Sequence, residues 1–242
     1  EIKELTRSFG GLVALDRVSL QVPTGERRAL IGPNGAGKTT LFNCMAGSLS
    51  PSSGRISLFG KEVTRLAEHQ RTAMGIGRTY QITNVFHEST VIENVILAAQ
   101  GTSREKWVFY RPVENYAERI KSATEKLSSF QLGHRASHFV HQLSYGERRQ
   151  LELVLALASR PRVLLLDEPA SGLSPAERHK IGEIISRLSR DITVIFIEHD
   201  MDVALGIADR VSVLHEGRII LEGTPAEVRA NPLVREVYFG NV

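Results

Sequence analysis

A single cysteine, Cys44, stands among the 242 residues. It rules out an intrachain disulfide framework and points to a reducing compartment, and Cys44 itself reads as core packing. No apolar run approaches the ~18 residues that a bilayer-spanning helix needs. The opening residues Glu1 to Leu5 do not have the character of a signal peptide. An excess of one charge is also missing: 30 Lys and Arg face 27 Asp and Glu, for a net charge of +3 and a pI of about 9.1. That imbalance is too small to point to nucleic acid or an anionic membrane surface. Repeats, low-complexity tracts and long linkers are absent. The remaining composition, 42% hydrophobic and 24% charged, is that of a globular protein. Its length suits one large domain, or one carrying an inserted sub-domain.

The pattern changes twice along the chain. Up to about Gly60 it is one of short strands and Gly-rich turns. Arg28 to Ile31 reads as a buried strand ending at Gly32. A helix is expected from Lys38, with Leu41, Cys44 and Met45 on one face and Gly47 as its stop. Ser50 to Gly54 has turn chemistry, and Arg55 to Phe59 reads as a strand. From about Phe86 to Ser159 the pattern is mostly helical: Glu114 to Phe130 is amphipathic, and Leu151, Val154, Leu155 and Ala158 share one stripe. Strand and helix then alternate again. Val163 to Leu166 and Thr193 to Ile197 read as buried strands, and Glu177 to Leu188 as a helix. Val211 to Leu214 and Arg218 to Leu221 flank a Glu216–Gly217 hairpin turn. The expected fold is α/β with a largely parallel sheet, a helical insertion and an antiparallel edge.

The chemistry-bearing motif is Gly32, Pro33, Asn34, Gly35, Ala36, Gly37, Lys38, Thr39, a full match to G-x-x-x-x-G-K-[ST]. Glycines let successive backbone N–H groups turn inward onto phosphate oxygens, and the following helix start adds a favourable dipole. Lys38 is expected to bridge the β- and γ-phosphates, Thr39 to ligate Mg²⁺ and Thr40 to reach an α-phosphate oxygen. A second element fits the first. The Val163–Leu166 strand delivers Asp167 and Glu168 to its carboxyl end. Asp167 is placed to hold Mg²⁺ through water, and Glu168 to face an attacking water as base or orienter. Two adjacent carboxylates beyond an apolar strand are costly unless a cation or water uses them.

Leu143, Ser144, Tyr145, Gly146 and Glu147 precede that strand and resemble the Leu-Ser-Gly-Gly-Gln signature of ABC transporter ATPases, departing from it at Tyr145 and Glu147. Ser144 and Gly146 keep the hydroxyl and the open backbone at a helix start that would face a γ-phosphate. The remaining motifs follow in family order. The resemblance makes Gln81 the Q-loop glutamine and a Mg²⁺ ligand. His199 becomes the H-loop histidine that handles γ-phosphate or water, and Phe9 the aromatic that stacks on adenine. Ser171 to Ser174 occupy the D-loop, with Ser174 where relatives often have Asp. The family fold implied is a P-loop NTPase (RecA-like) core in one domain over 1–242, with an N-terminal antiparallel β sub-domain and a helical sub-domain inserted at about 86–159.

The Leu143–Glu147 motif itself and three further features are similar to the ATPases of branched-chain amino-acid importers, a family shared with importers of urea and related amides. The three further features are Glu198 to Met201, the tail Asn231 to Gly240, and a Trp-bearing insert near Gly101 to Arg111. The resemblance implies ATP hydrolysis coupled to import, with the chain peripheral on the cytoplasmic face of the inner membrane. The implied partners are two transmembrane permease subunits, a second ATPase subunit (the same or a paralogue) and, indirectly, a solute-binding protein; no nucleic acid is expected. Two such subunits would pair head to tail, each lending Ser144 and Gly146 to the other's ATP. An exporter ATPase for lipid or lipopolysaccharide is the alternative of the same chemistry. A soluble ABC ATPase is disfavoured because no long coiled coil fits between Lys38 and Asp167 and only one ATPase domain is present. A P-loop kinase would lack the Leu143–Gly146 motif.

Overall fold

The computed structural model describes residues 1–79, 85–101 and 114–239. Gln81 and the insert around Trp107 lie outside them. The chain divides into two units, one of Glu1–Ile76 with Arg162–Val242 and one of Gly77–Pro161. The sequence pattern had placed the insertion at about 86–159.

In the first unit β1 (Ile2–Phe9) and β2 (Leu12–Leu20) form a hairpin. After β3 (Arg27–Ile31) and α1 (Lys38–Ala46), β4 (Ser53–Leu58) returns to pair with the other edge of β1, and the short β5 (Lys61–Glu62) completes an antiparallel sheet in the order β2-β1-β4-β5. β4 starts two residues ahead of the expected Arg55 and stops before Phe59, whose φ of +51° breaks the strand. The α2 helix (Glu68–Ala73) then leads to β6 (Ile76–Arg78).

The second unit holds α3 (Val91–Gly101), α4 (Glu114–Ser129) and α5 (Tyr145–Ala158), with α3 packed on both of the others. Of the expected α5 stripe, Leu151, Val154 and Ala158 are buried, whereas Leu155 is only half-buried and Leu153 is fully inside. A helix enclosed on more than one side needs more apolar positions than a single stripe supplies.

The chain returns to the first unit through β7 (Val163–Asp167), α6 (Pro175–Ser186), β8 (Thr193–Ile197) and α7 (Met201–Ile207). It ends with β9 (Arg210–His215), β10 (Arg218–Gly223), α8 (Pro225–Ala230) and α9 (Pro232–Phe239). The second sheet has the order β10-β9-β3-β8-β7-β6. β9, β3, β8 and β7 run parallel, and β10 pairs antiparallel with β9 across the Glu216–Gly217 turn. This is the largely parallel sheet with an antiparallel edge that the sequence led us to expect. β3 and β8 are buried at every residue, as central parallel strands must be. Between the two sheets Leu5, Leu15, Val18 and Leu20 pack with Leu30, Leu41, Phe42, Leu165, Ile195, Ile197 and Leu214. Residues Leu30, Ile197 and Asp167 are register neighbours on β3, β8 and β7. Everything that follows these residues therefore emerges along one edge of the sheet, the carboxyl ends where open α/β sheets bind ligands.

Candidate nucleotide site

The loop leaving β3 is shaped by glycines that no other residue replaces. A Cβ on Gly32 would stand 2.1 Å from the Leu214 carbonyl oxygen, and one on Gly37 2.5 Å from the Ala14 oxygen, with φ at +151° and +101° respectively. The chain turns here against neighbouring backbone, so any side chain would push the loop off the sheet. Gly37 is also the N-cap of α1 and brings no side-chain acceptor. The first N–H groups of α1 thus stay available for an anion. Lys38 is 5% exposed and curls back so that Nζ donates to the Gly32 and Pro33 carbonyl oxygens, at 2.7 and 2.9 Å. Burial lowers the pKa of its ammonium group, while Glu168 and Asp167 draw it back up. Thr39 is exposed and Thr40 half-buried in the first turn of α1, and Asp167 is half-buried at the end of β7.

Glu168 follows Asp167 in a left-handed conformation, φ +49°, that non-glycine residues seldom adopt. Its backbone N–H donates to the Ile197 carbonyl oxygen at 3.0 Å, and the Ser171 N–H donates to the Glu168 carbonyl oxygen at 3.1 Å. That turn aims the carboxylate at β8, where Oε1 accepts from His199 Nε2 at 2.7 Å. Backbone strain of this kind is held only where the surroundings dictate it, and it collects at functional sites. The sequence placed Glu168 and His199 in one site, and the structure brings them into direct contact.

Phe9, the last residue of β1, is 45% exposed, and the Arg7 guanidinium covers its ring at 4.5 Å from the centroid. In the second unit Ser144 is the N-cap of α5: its Oγ accepts from the Glu147 N–H at 3.2 Å, and Glu147 Oε2 accepts from the Ser144 N–H at 2.9 Å. A glutamine would close the same capping box, so what the carboxylate of Glu147 adds is its ion pair with Arg135. Burial works to raise its pKa, but Arg135 at 2.7 Å and the Ser144 amide hold the carboxyl below its ordinary value. Tyr145 folds along its own helix, where its hydroxyl accepts from Arg149 at 3.0 Å, and Gly146 is buried. Ser174 is the N-cap of α6, with Pro175 in the first turn and Glu177 completing a second capping box. The helix expected from Glu177 therefore begins two residues earlier.

Three side chains that brace the site's elements had no assigned place in the sequence reading. Arg71, 1% exposed, donates to the Cys44 and Met45 carbonyl oxygens at 2.6 and 2.9 Å and so caps the C-terminus of the helix that begins with Lys38. Arg178 joins the Leu173 carbonyl oxygen, at 3.0 Å, to Asp200, at 2.6 Å. Glu198, 3% exposed, accepts from the Ala170 N–H at 2.8 Å. Of the three, Glu198 carried a signal, a charged residue directly after the apolar run Val194–Ile197.

The family model described as ABC transporter matches residues 15–171, and that described as branched-chain amino acid ATP-binding cassette transporter matches residues 218–242. A high-affinity branched-chain amino acid transport ATP-binding protein of Pseudomonas aeruginosa is 38% identical over 247 residues, covering 99% of this chain and 97% of the relative. The lipopolysaccharide export system ATP-binding protein of Acidithiobacillus ferridurans is 37% identical, covering 100% of this chain and 96% of the relative. Among solved structures, the dimeric post-hydrolysis state of the ATP-binding cassette MJ0796 bound to ADP and Pi superposes with a TM-score of 0.79. It is 28% identical and covers 93% of this chain and 97% of that one.

Proposed function

Because the chain belongs to the ABC transporter ATP-binding family, we propose that it is the ATP-hydrolysing subunit of an importer for branched-chain amino acids or related small amides. In this reading the whole chain is one ABC ATPase domain, with the helical unit as its insertion. It sits on the cytoplasmic face of the inner membrane against two permease subunits, which receive solute from a binding protein. Overall identity does not separate import from export, since the lipopolysaccharide relative is nearly as similar. The tail favours import: residues 218–242 match the branched-chain amino acid model.

The observation that carries the chemistry is the Glu168–His199 contact beside the phosphate-binding loop. The loop amides and the start of α1 receive the triphosphate, and Phe9 offers a ring face to adenine. Lys38 exchanges its two carbonyl contacts for β- and γ-phosphate oxygens. Glu168 holds the attacking water and takes up its proton, and His199 fixes the carboxylate beside the γ-phosphate. The Thr39 hydroxyl and the Asp167 carboxylate are hard oxygen donors suited to Mg²⁺, with Gln81 proposed as a third ligand. When bound, that ion would neutralise charge building on the phosphate oxygens. Ser144 and Gly146 of a second ATPase subunit close the site, so ATP favours the paired state through its contacts with both copies. Hydrolysis removes those contacts and releases the pair, and that opening works the permease.

Leucine uptake into vesicles containing the chain with its permease subunits tests this reading. ATP-driven accumulation that disappears with Glu168→Gln is expected. ATP turnover that ignores leucine and its binding protein would overturn the import assignment.

A further inference from the structure

Ile197, Glu198 and His199 are three consecutive residues, and each grips the turn that carries Glu168. The Ile197 carbonyl oxygen accepts from the Glu168 N–H at 3.0 Å, Glu198 Oε1 accepts from the Ala170 N–H at 2.8 Å, and His199 Nε2 meets the Glu168 carboxylate at 2.7 Å. We propose that Glu198 is a positioning residue for ATP hydrolysis: its buried carboxylate clamps the Glu168–Ser171 turn to the β8 end, so that Glu168 and His199 meet in the geometry needed to hold water.

The argument begins with cost. Glu198 is 3% exposed, and carboxylates are almost never fully buried without a partner. Among the described residues its partners are the backbone N–H groups of Ala170 and His199. The ionisable neighbours acting on it, Glu168 and Asp200, are both acidic and oppose its charge. An apolar side chain after the apolar run Val194–Ile197 would avoid this expense. What Glu198 supplies in return is an acceptor for a buried amide within two residues of Glu168.

Elementary geometry then makes the clamp consequential. Glu168 is held at φ +49°, and a non-glycine residue relaxes out of that region unless its flanks are fixed. The Ile197 contact fixes the amide side of Glu168 and the Glu198 contact fixes the far side. Arg178 repeats the same linkage further along by tying Leu173 to Asp200. Loss of the Glu198 acceptor would free Ala170 and let the Glu168 carboxylate swing, while leaving the loop of Gly32 to Thr39 untouched. A catalytic group displaced by about 1 Å loses on the order of a hundredfold in rate, so even partial release is measurable.

This inference rests on the assignment of Glu168 proposed above, and the experiment separates the two. In the full chain, Glu198→Met fills the same space without an acceptor, and Glu198→Gln keeps a carbonyl oxygen for Ala170. ATPase kinetics should show kcat falling about tenfold or more in the Met variant with KM for ATP within about twofold, and recovering to within about threefold of the parent in the Gln variant. In a Glu168→Gln background, Glu198→Met should lower the residual rate by less than about twofold, because the two residues act through one step. A parental kcat in the Met variant would overturn the proposal. So would kcat and KM shifting together in both variants, or losses that multiply in the double variant. Glu198→Ala replaces the Met variant should that one fail to fold. Parental turnover by Glu168→Gln alone would instead overturn the assignment of Glu168, whatever Glu198 does.

Discussion

Glu168 and His199 follow the carboxyl ends of neighbouring parallel strands, and their side chains meet at 2.7 Å. An ionised carboxylate only accepts, so the imidazole carries its hydrogen on Nε2 toward Glu168. The contact orients the Glu168 carboxylate. His199→Ala removes that orientation and should lower kcat about a hundredfold, the scale of a positioned proton-transfer group, with ATP affinity kept. Phosphate release against ATP concentration checks both quantities.

Lys38 folds over the loop onto the carbonyl oxygens of Gly32 and Pro33. Lys38→Ala takes away its charge where triphosphate binds, and a fluorescent ATP analogue should bind at least about tenfold more weakly, the equivalent of ~1.4 kcal/mol. An unchanged dissociation constant would remove the phosphate-binding role of the loop.

Arg71 supports that loop from below by holding the far end of α1. Its guanidinium also donates to Leu66 and Thr64, both at 3.0 Å. Arg71→Ala strands several buried carbonyls, and urea unfolding should show a loss of roughly 2–4 kcal/mol. Lysine offers a point charge without the planar fork, so Arg71→Lys should recover only part of it.

Burial pushes the Glu198 carboxyl from its ordinary 4.5 up to about 7. The charges facing it are Glu168 and Asp200, with His199 beside it. Between these two values the folded chain keeps a proton that the unfolded chain has released. Stability is therefore expected to fall as pH rises through that window, by at most about 1.4 kcal/mol per pH unit. Glu198→Gln has no proton to lose there, so the difference in unfolding free energy between parent and variant should slope with pH from 4.5 to 7 and flatten above it. The carboxyls held low, such as Glu147 and Asp209, titrate below that window and cancel in the comparison.

The parallel sheet was legible because its strands are short apolar runs bounded by glycine or acid, as at Val163–Asp167. The P-loop was legible because only glycine tolerates the approach to Leu214 and Ala14. The hairpin of β1 and β2 was visible only as short strands, since its register shifts at Leu5 and Arg7 interrupt alternation. Helix starts were misplaced where a capping box sets them: Ser174 looked like a loop residue until Glu177 was seen to reach back to it. Arg71, Arg178 and Glu198 were hidden for a different reason. Arg71 and Glu198 reach backbone groups distant in the chain, and Arg178 spans Leu173 and Asp200; the charge of Glu198 after its strand marked the residue but not the amide it serves.

The most direct test of the central claim is a phosphate-release assay on Glu168→Gln with ATP binding measured on the same sample. The account predicts ATP affinity within about twofold of the parent and turnover reduced at least about a hundredfold. Parental turnover at parental affinity would contradict it.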